Sequence, residues 1–134
     1  MKKRLFFILL SVFLMAAIFY FSDMPANQSN AVSEPVAEAA GLSNSEMRKI
    51  AHFLCFSFLS VSFWGLFSTF QKLRFPKVYA FIATVLYAVT DEVHQIFVPG
   101  RACEWEDLVT DSAGALVVLL LFSFFALLFR RKKT

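Results

Sequence analysis

Four stretches of apolar sequence, each long enough to cross a bilayer, dominate what this chain can become: Leu5–Phe21, Ile50–Phe70, Val78–Val98 and Leu108–Phe129. A spanning helix needs roughly 17–25 predominantly apolar residues, and each stretch meets that length. The chain has 134 residues, of which 58% are hydrophobic and 18 are Phe. A soluble domain is typically about 45–50% apolar. A water-soluble fold of this size would have to hide far more Phe and Leu than its interior holds, whereas lipid can cover them. The expected fold is an all-α membrane protein, one domain over residues 1–134, with four transmembrane helices at about 5–21, 46–70, 78–97 and 107–129.

The first stretch follows Lys2, Lys3 and Arg4 and so has the outline of a signal peptide. Its apolar run is long for a signal core, and Tyr20 and Phe21 stand where small residues should lead to cleavage. An uncleaved helix is the better reading. The formal net charge is +3, but the charges lie in short runs between apolar blocks, as membrane-flanking charges do. No basic face with interleaved aromatics points to nucleic acid; the expected partners are membrane lipids. Ten of the 13 Lys and Arg fall before the first helix (Lys2, Lys3, Arg4), between the second and third (Lys72, Arg74, Lys77) or after the fourth (Arg130, Arg131, Lys132, Lys133). Only Arg48, Lys49 and Arg101 lie on the other side. The excess of cations on cytoplasmic loops then places both termini in the cytoplasm.

The outer loop from Ser22 to Glu46 carries Pro25 and Pro35 and is too polar for a span. Val32, Val36 and Ala40 recur every four residues, which suits either one short helix on the membrane surface or a plain connector. Ser43 and Glu46 fit a capping box, so the second helix should start near Asn44. Ser57, Ser60, Ser62 and Gly65 suit close helix contacts in lipid, or the hydroxyls bond back within their own helix. Cys55 reads as a packing residue inside an apolar block, with a Cys55–Cys103 disulfide the less favoured alternative.

The third stretch loses its apolar character at Asp91, Glu92, His94 and Gln95. Thirteen residues separate Val78 from Asp91, roughly 20 Å of helix, so these groups lie in the outer part of the bilayer. Ionisable groups there carry an energetic cost and call for partners. Asp91 shares a helix face with His94 and Gln95, while Glu92 is rotated about 100° away, so Asp91 and Glu92 should not both point at one centre. Lys49 and His52 are three apart on the second helix. Asp107, Asp111 and Gly114 form one stripe on the fourth. Pro99-Gly100-Arg101 makes a turn bearing a cation. All these groups face the same leaflet.

For any single residue the plainer reading is structural: Arg101 and Lys49 neutralise Asp91, Glu92, Asp107 or Asp111 and lock helices together. For the whole set that reading is too small. His52 and His94 with Asp111 or Asp91 offer ligand types for a divalent metal, although no H-E-x-x-H spacing supports it. Glu92, His94 and Asp91 are candidates for general acid–base chemistry on a lipid headgroup. Lys49, His52, Gln95, Arg101, Asp107 and Asp111 are candidates for binding, with the cations suited to a phosphate or carboxylate. Spacing leaves these open, together with the cofactor and the oligomeric state.

Asp91-Glu92-Val93-His94-Gln95-Ile96-Phe97-Val98-Pro99-Gly100-Arg101 resembles the D-E-x-x-Q-x-F-x-P-x-R core of the VanZ-like family. Lys49-x-x-His52-Phe53 resembles its K-x-x-H-F, Asp107 to Ala115 its D-x-x-x-N-x-x-G-A with Asp111 in place of Asn, and Ser22-x-x-Pro25 its S-x-x-P. The resemblance spans nearly the whole chain. It implies an envelope protein of the kind that lowers susceptibility to teicoplanin-type glycopeptides without rebuilding their target. A surface lipid or cell-wall precursor is then the expected ligand. An uncharacterised, metal-assisted membrane hydrolase or transferase and a non-catalytic partner subunit are the alternatives.

Overall fold

In the computed structural model, which describes residues 1–131, five helices follow one another: α1 (Lys2–Ser22), α2 (Ala26–Ala40), α3 (Asn44–Phe67), α4 (Pro76–Gln95) and α5 (Trp105–Arg131). No strand occurs among the described residues. Lys132 and Lys133, part of the basic count above, lie outside them.

Local chemistry explains the boundaries. Ser43 starts α3 with a full capping box: its N–H donates to Glu46 Oε2 at 2.8 Å, and the Glu46 N–H donates to Ser43 Oγ at 3.2 Å. Two backbone donors at the helix start are thereby satisfied. Pro76 occupies the first turn of α4, where its missing N–H costs nothing. Gly41 closes α2 at φ +69°, a conformation open to glycine. The helices overrun or fall short of the expected limits by a few residues. α1 begins at Lys2 because helical backbone does not stop where apolar side chains do. α3 ends at Phe67 rather than 70, with Thr69 Oγ1 donating to the Leu66 carbonyl at 2.7 Å just past its end. The outer loop is a 15-residue helix, α2, that accommodates Pro35 in its interior.

α1, α3 and α5 are each long and apolar enough to cross a membrane. α4 has the length, at 20 residues, but its last turns carry Asp91, Glu92, His94 and Gln95. The bundle has the polarity of a protein solvated by lipid. Phe13, Phe58, Leu86 and Phe129 are each more than 60% exposed, whereas Ser11, Ser60, Ser62 and Thr84 are buried. Its apolar centre is small: Ile18 from α1, Phe56 and Leu59 from α3, and Ala88 from α4.

Side-chain bonds thread the helices alternately. Arg4 at the start of α1 reaches Thr69 just past the end of α3. Ser22 at the end of α1 meets Asp91 near the end of α4. His52 near the start of α3 meets Asp111 near the start of α5, and Lys77 at the start of α4 meets Ser123 late in α5. α1 and α4 therefore run one way, α3 and α5 the other. α3 packs against all four other helices.

The small residues serve close contact. Ser57 Oγ lies 2.7 Å from the Phe53 carbonyl of its own helix and 2.9 Å from the Gly114 carbonyl of α5. Ser11 and Ser62 hydroxyls meet at 2.8 Å between α1 and α3. A Cβ at Gly114 would collide with the Phe53 carbonyl, so α3 and α5 approach at a distance that only glycine permits there. Cys55 and Cys103 are unpaired.

Candidate functional site

The antiparallel threading brings the ends of α1 and α4 together with the starts of α3 and α5, and the ionisable residues gather at that end. On α4, Asp91 and Glu92 are 3% and 2% exposed. Each takes one partner from a different element, but they also share one. Asp91 Oδ2 accepts from Ser22 Oγ of α1 at 2.8 Å. Glu92 Oε2 accepts from the Glu104 N–H ahead of α5 at 2.9 Å. Gln95, one helical turn further on, ties the two: its Nε2 donates to Asp91 Oδ2 at 3.1 Å and to Glu92 Oε1 at 3.3 Å. Positions i+3 and i+4 are the two that can reach across a turn.

Asp107, Asp111 and Gly114 form one buried stripe of α5. Asp111 is fully buried and its Oδ1 lies 3.1 Å from His52 Nδ1 on α3. Arg48 Nη2 lies 3.8 Å from Asp107 Oδ2 and 3.6 Å from Glu104 Oε2. Lys49 turns outward to Glu106 at 2.7 Å. Arg101 also avoids the carboxylates: it donates from Nε to the Met24 carbonyl at 3.2 Å and from Nη2 to the Phe21 carbonyl at 3.3 Å. A guanidinium suits the carbonyls at the end of α1. Burial, with Arg48 nearby, pulls its ionisation below the ordinary arginine value. Neither Lys49 nor Arg101 thus takes the neutralising contact first expected of it.

Four carboxylates are therefore buried at this end, and among the described residues only Arg48, and His52 when it is protonated, stand within 4 Å of them as cationic partners. Among the described residues, Asp91 Oδ1, Asp107 Oδ1 and Asp111 Oδ2 have no hydrogen-bond partner, nor has Arg48 Nε. Each unsatisfied buried group costs about 1–3 kcal/mol, more where the group is charged. His52, Glu92 and Asp111 each bring one potential metal-ligand atom, all within 4.8 Å of one another. His94 is elsewhere. Its Nε2 is 3.1 Å from Asp23 and its ring lies 4.4 Å from that of Phe19. On α4 it is Glu92, not His94, that joins His52 and Asp111.

Beside the carboxylates, a cavity of about 330 Å³ opens between α1, α2 and α3. Its wall is mostly apolar, with Ile18, Phe21, Val32, Val36, Met47 and Phe56 among the lining residues. Arg48, His52 and Arg101 line it too, as does Ser22.

A family model described as VanZ/LLP1 matches residues 7–128. The chain belongs to the VanZ/LLP1 family. No curated protein and no solved structure matches it.

In this VanZ/LLP1 chain the motifs named above come together at one end of the bundle. Asp91, Glu92, Gln95, Asp107 and Asp111 form the buried network, with the half-buried His52 joined to Asp111, while Lys49, Arg101 and His94 stand at its edge with other partners. Arg48, Glu104 and the cavity have no signal in the sequence that singles them out. Arg48 neighbours Lys49, and nothing in their spacing says which of two adjacent cations turns inward. Glu104 contributes a backbone N–H, which no side-chain pattern reveals. Ser22 was visible only as part of the S-x-x-P resemblance.

Proposed function

We propose that this VanZ/LLP1 protein crosses the bacterial cytoplasmic membrane four times, with both termini inside. At its outer end it holds an anionic surface lipid or lipid-linked cell-wall precursor. The carrying observation is the cavity, whose apolar wall ends at Arg48, His52 and Arg101. An acyl or prenyl chain fits the apolar part, and guanidinium groups suit a phosphate or carboxylate headgroup. α4 supplies the fourth span, since 20 residues make roughly 30 Å of helix and its acids find partners at one extremity. The cation-rich connections lie at the opposite end, which supports the inward orientation of both termini. α2 covers the cavity from the outer surface. Sequestering or altering that lipid at the outer face would reduce access of lipophilic glycopeptides to their target, which joins this reading to teicoplanin-type susceptibility.

The experiment has three arms. Full-length protein is purified in mild detergent and its bound lipid identified by mass spectrometry. The wild type is expected to carry an anionic lipid, reduced several-fold in Ala51→Trp, which fills the cavity, and in Arg101→Ala. Equal lipid in all three proteins removes the binding reading. Cys103 is exposed and should react with a membrane-impermeant maleimide on intact cells; labelling only after lysis reverses the orientation. Cells carrying Arg101→Ala should lose whatever teicoplanin protection the wild type confers. Unchanged protection with lost lipid would detach resistance from binding.

A second reading, catalysis on the held lipid, is favoured by the His52–Asp111 bond beside Glu92. A histidine oriented by a carboxylate is the usual form of a general base.

A further inference from the structure

We propose that His52, Glu92 and Asp111 bind one divalent transition-metal ion, zinc being the best match. The ion goes beyond the lipid reading and does not depend on it. The three residues come from α3, α4 and α5, and their ligand atoms lie within 4.8 Å of one another. Imidazole and carboxylates bind zinc at about 2.0–2.2 Å, and three protein ligands with one open position is the arrangement of reactive zinc sites. Ligands of one tetrahedral ion stand roughly 3.4 Å apart at those bond lengths, so binding draws the side chains inward by about an ångström.

Two further observations point to a cation. Asp111 is fully buried, and its Oδ2 has no partner among the described residues. Asp91 Oδ1 and Asp107 Oδ1 are also unpartnered, so the carboxylates outnumber the cations that touch them. A divalent ion supplies the missing positive charge where solvent cannot. The surroundings also orient the ligands. Glu92 is fixed through both oxygens by Gln95 and the Glu104 N–H, the kind of outer support that metal-binding carboxylates and imidazoles receive. His52 belongs to the cavity wall as well. The open coordination position therefore accepts water or, where the lipid reading holds, an anionic oxygen of the headgroup.

The test measures metal content and melting temperature on full-length protein purified without chelator. Wild type is expected to contain stoichiometric zinc and to melt lower after chelation, with recovery on adding zinc, because a ligand bound only to the folded state stabilises it. His52→Ala and Asp111→Asn should lack the metal, show no zinc-dependent shift, and melt close to the chelated wild type. Glu92→Gln should bind it several-fold more weakly. His94→Ala should keep full metal and the full shift. Wild type with neither bound metal nor a shift under added zinc or manganese overturns the proposal, and so does metal retained in His52→Ala and Asp111→Asn. Lipid measured on the same samples separates the two readings: metal lost with lipid retained leaves the cavity proposal standing, and the converse leaves the ion.

Discussion

The two ends of the bundle treat charge in opposite ways. At the end where α1 and α4 begin, the charged groups that make contacts are cations and they have simple partners. Arg4 donates to Thr69 and lies over the Phe70 ring at 4.3 Å. Lys77 meets Ser123 and lies over the Trp64 ring at 4.7 Å. Long aliphatic stems let such groups keep their heads at an aromatic, water-accessible rim, and aromatic faces attract them. At the other end the acids are drawn inside, four of them nearly inaccessible, and three retain an oxygen without a partner. The first arrangement anchors a helix bundle in a membrane at little cost. The second is costly to maintain, which is why it reads as a site.

Arg48 carries the largest expected difference between the two ends. In Arg48→Ala, Asp107 loses the one cation near its Oδ2 and keeps an Oδ1 already unpartnered. Removing one member of a fully buried pair costs about 3–5 kcal/mol and of an exposed pair about 0–1. Arg48 is 25% exposed and Asp107 3%, so a loss of about 2 kcal/mol is expected. Lys77→Ala at the opposite end should cost under about 1 kcal/mol. Melting in detergent micelles reads both. Adding Asp107→Asn to Arg48→Ala should recover much of the loss; no recovery would mean that the Arg48 stem, not the stranded carboxylate, carries the effect.

A smaller contrast lies in two glycines. A Cβ at Gly114, in the acidic half, meets the Phe53 backbone and Ser57 Oγ, whereas a Cβ at Gly65 meets only the Phe7 ring. Overpacking costs roughly 1–3 kcal/mol where the neighbours cannot yield. Gly114→Ala should fall in that range, because helix backbone is the obstacle. Gly65→Ala should cost less, because a ring at the bundle edge can swing aside. Equal melting temperatures for the two variants would mean that α3 and α5 can separate without penalty, and that the acid cluster is not held by close helix contact.

What the sequence made legible follows from which constraints are local. The apolar blocks were readable because lipid imposes length and composition residue by residue. The Ser43–Glu46 cap was readable because its partners are three positions apart. The acid cluster on α4 was conspicuous because charge inside an apolar block is costly and persists there only with partners or a function. The α2 helix was only half legible: the Val32, Val36, Ala40 spacing fits a helix, but Pro35 and the polar composition fit a connector equally well. Partner choice was not readable at all. Whether Arg48 or Lys49 faces Asp107, whether His94 or Glu92 joins His52, and whether Arg101 takes a carboxylate or the end of α1 all depend on the axial stagger and rotation of antiparallel helices. Those are set by close helix contacts such as Gly114 against Phe53 and Ser11 against Ser62, whose two sides lie tens of residues apart in sequence. The cavity needs three helices and so has no sequence signature.

The smallest predicted effect tests whether charge, rather than polarity, separates the two ends. Ser11 and Ser62 form a neutral buried pair at 2.8 Å between α1 and α3 that takes part in neither the cation contacts of one end nor the acid cluster of the other. Hydrogen bonds between membrane helices average about 0.6 kcal/mol in double-mutant cycles, with a maximum near 1.7. The cycle of Ser11→Ala, Ser62→Ala and the double variant should give a coupling near that average, because neither hydroxyl leaves a charge stranded when its partner is removed. A coupling as large as the loss in Arg48→Ala would show that burial of any polar pair suffices to account for the acidic end. A small one leaves the unbalanced carboxylates as the feature that needs a ligand.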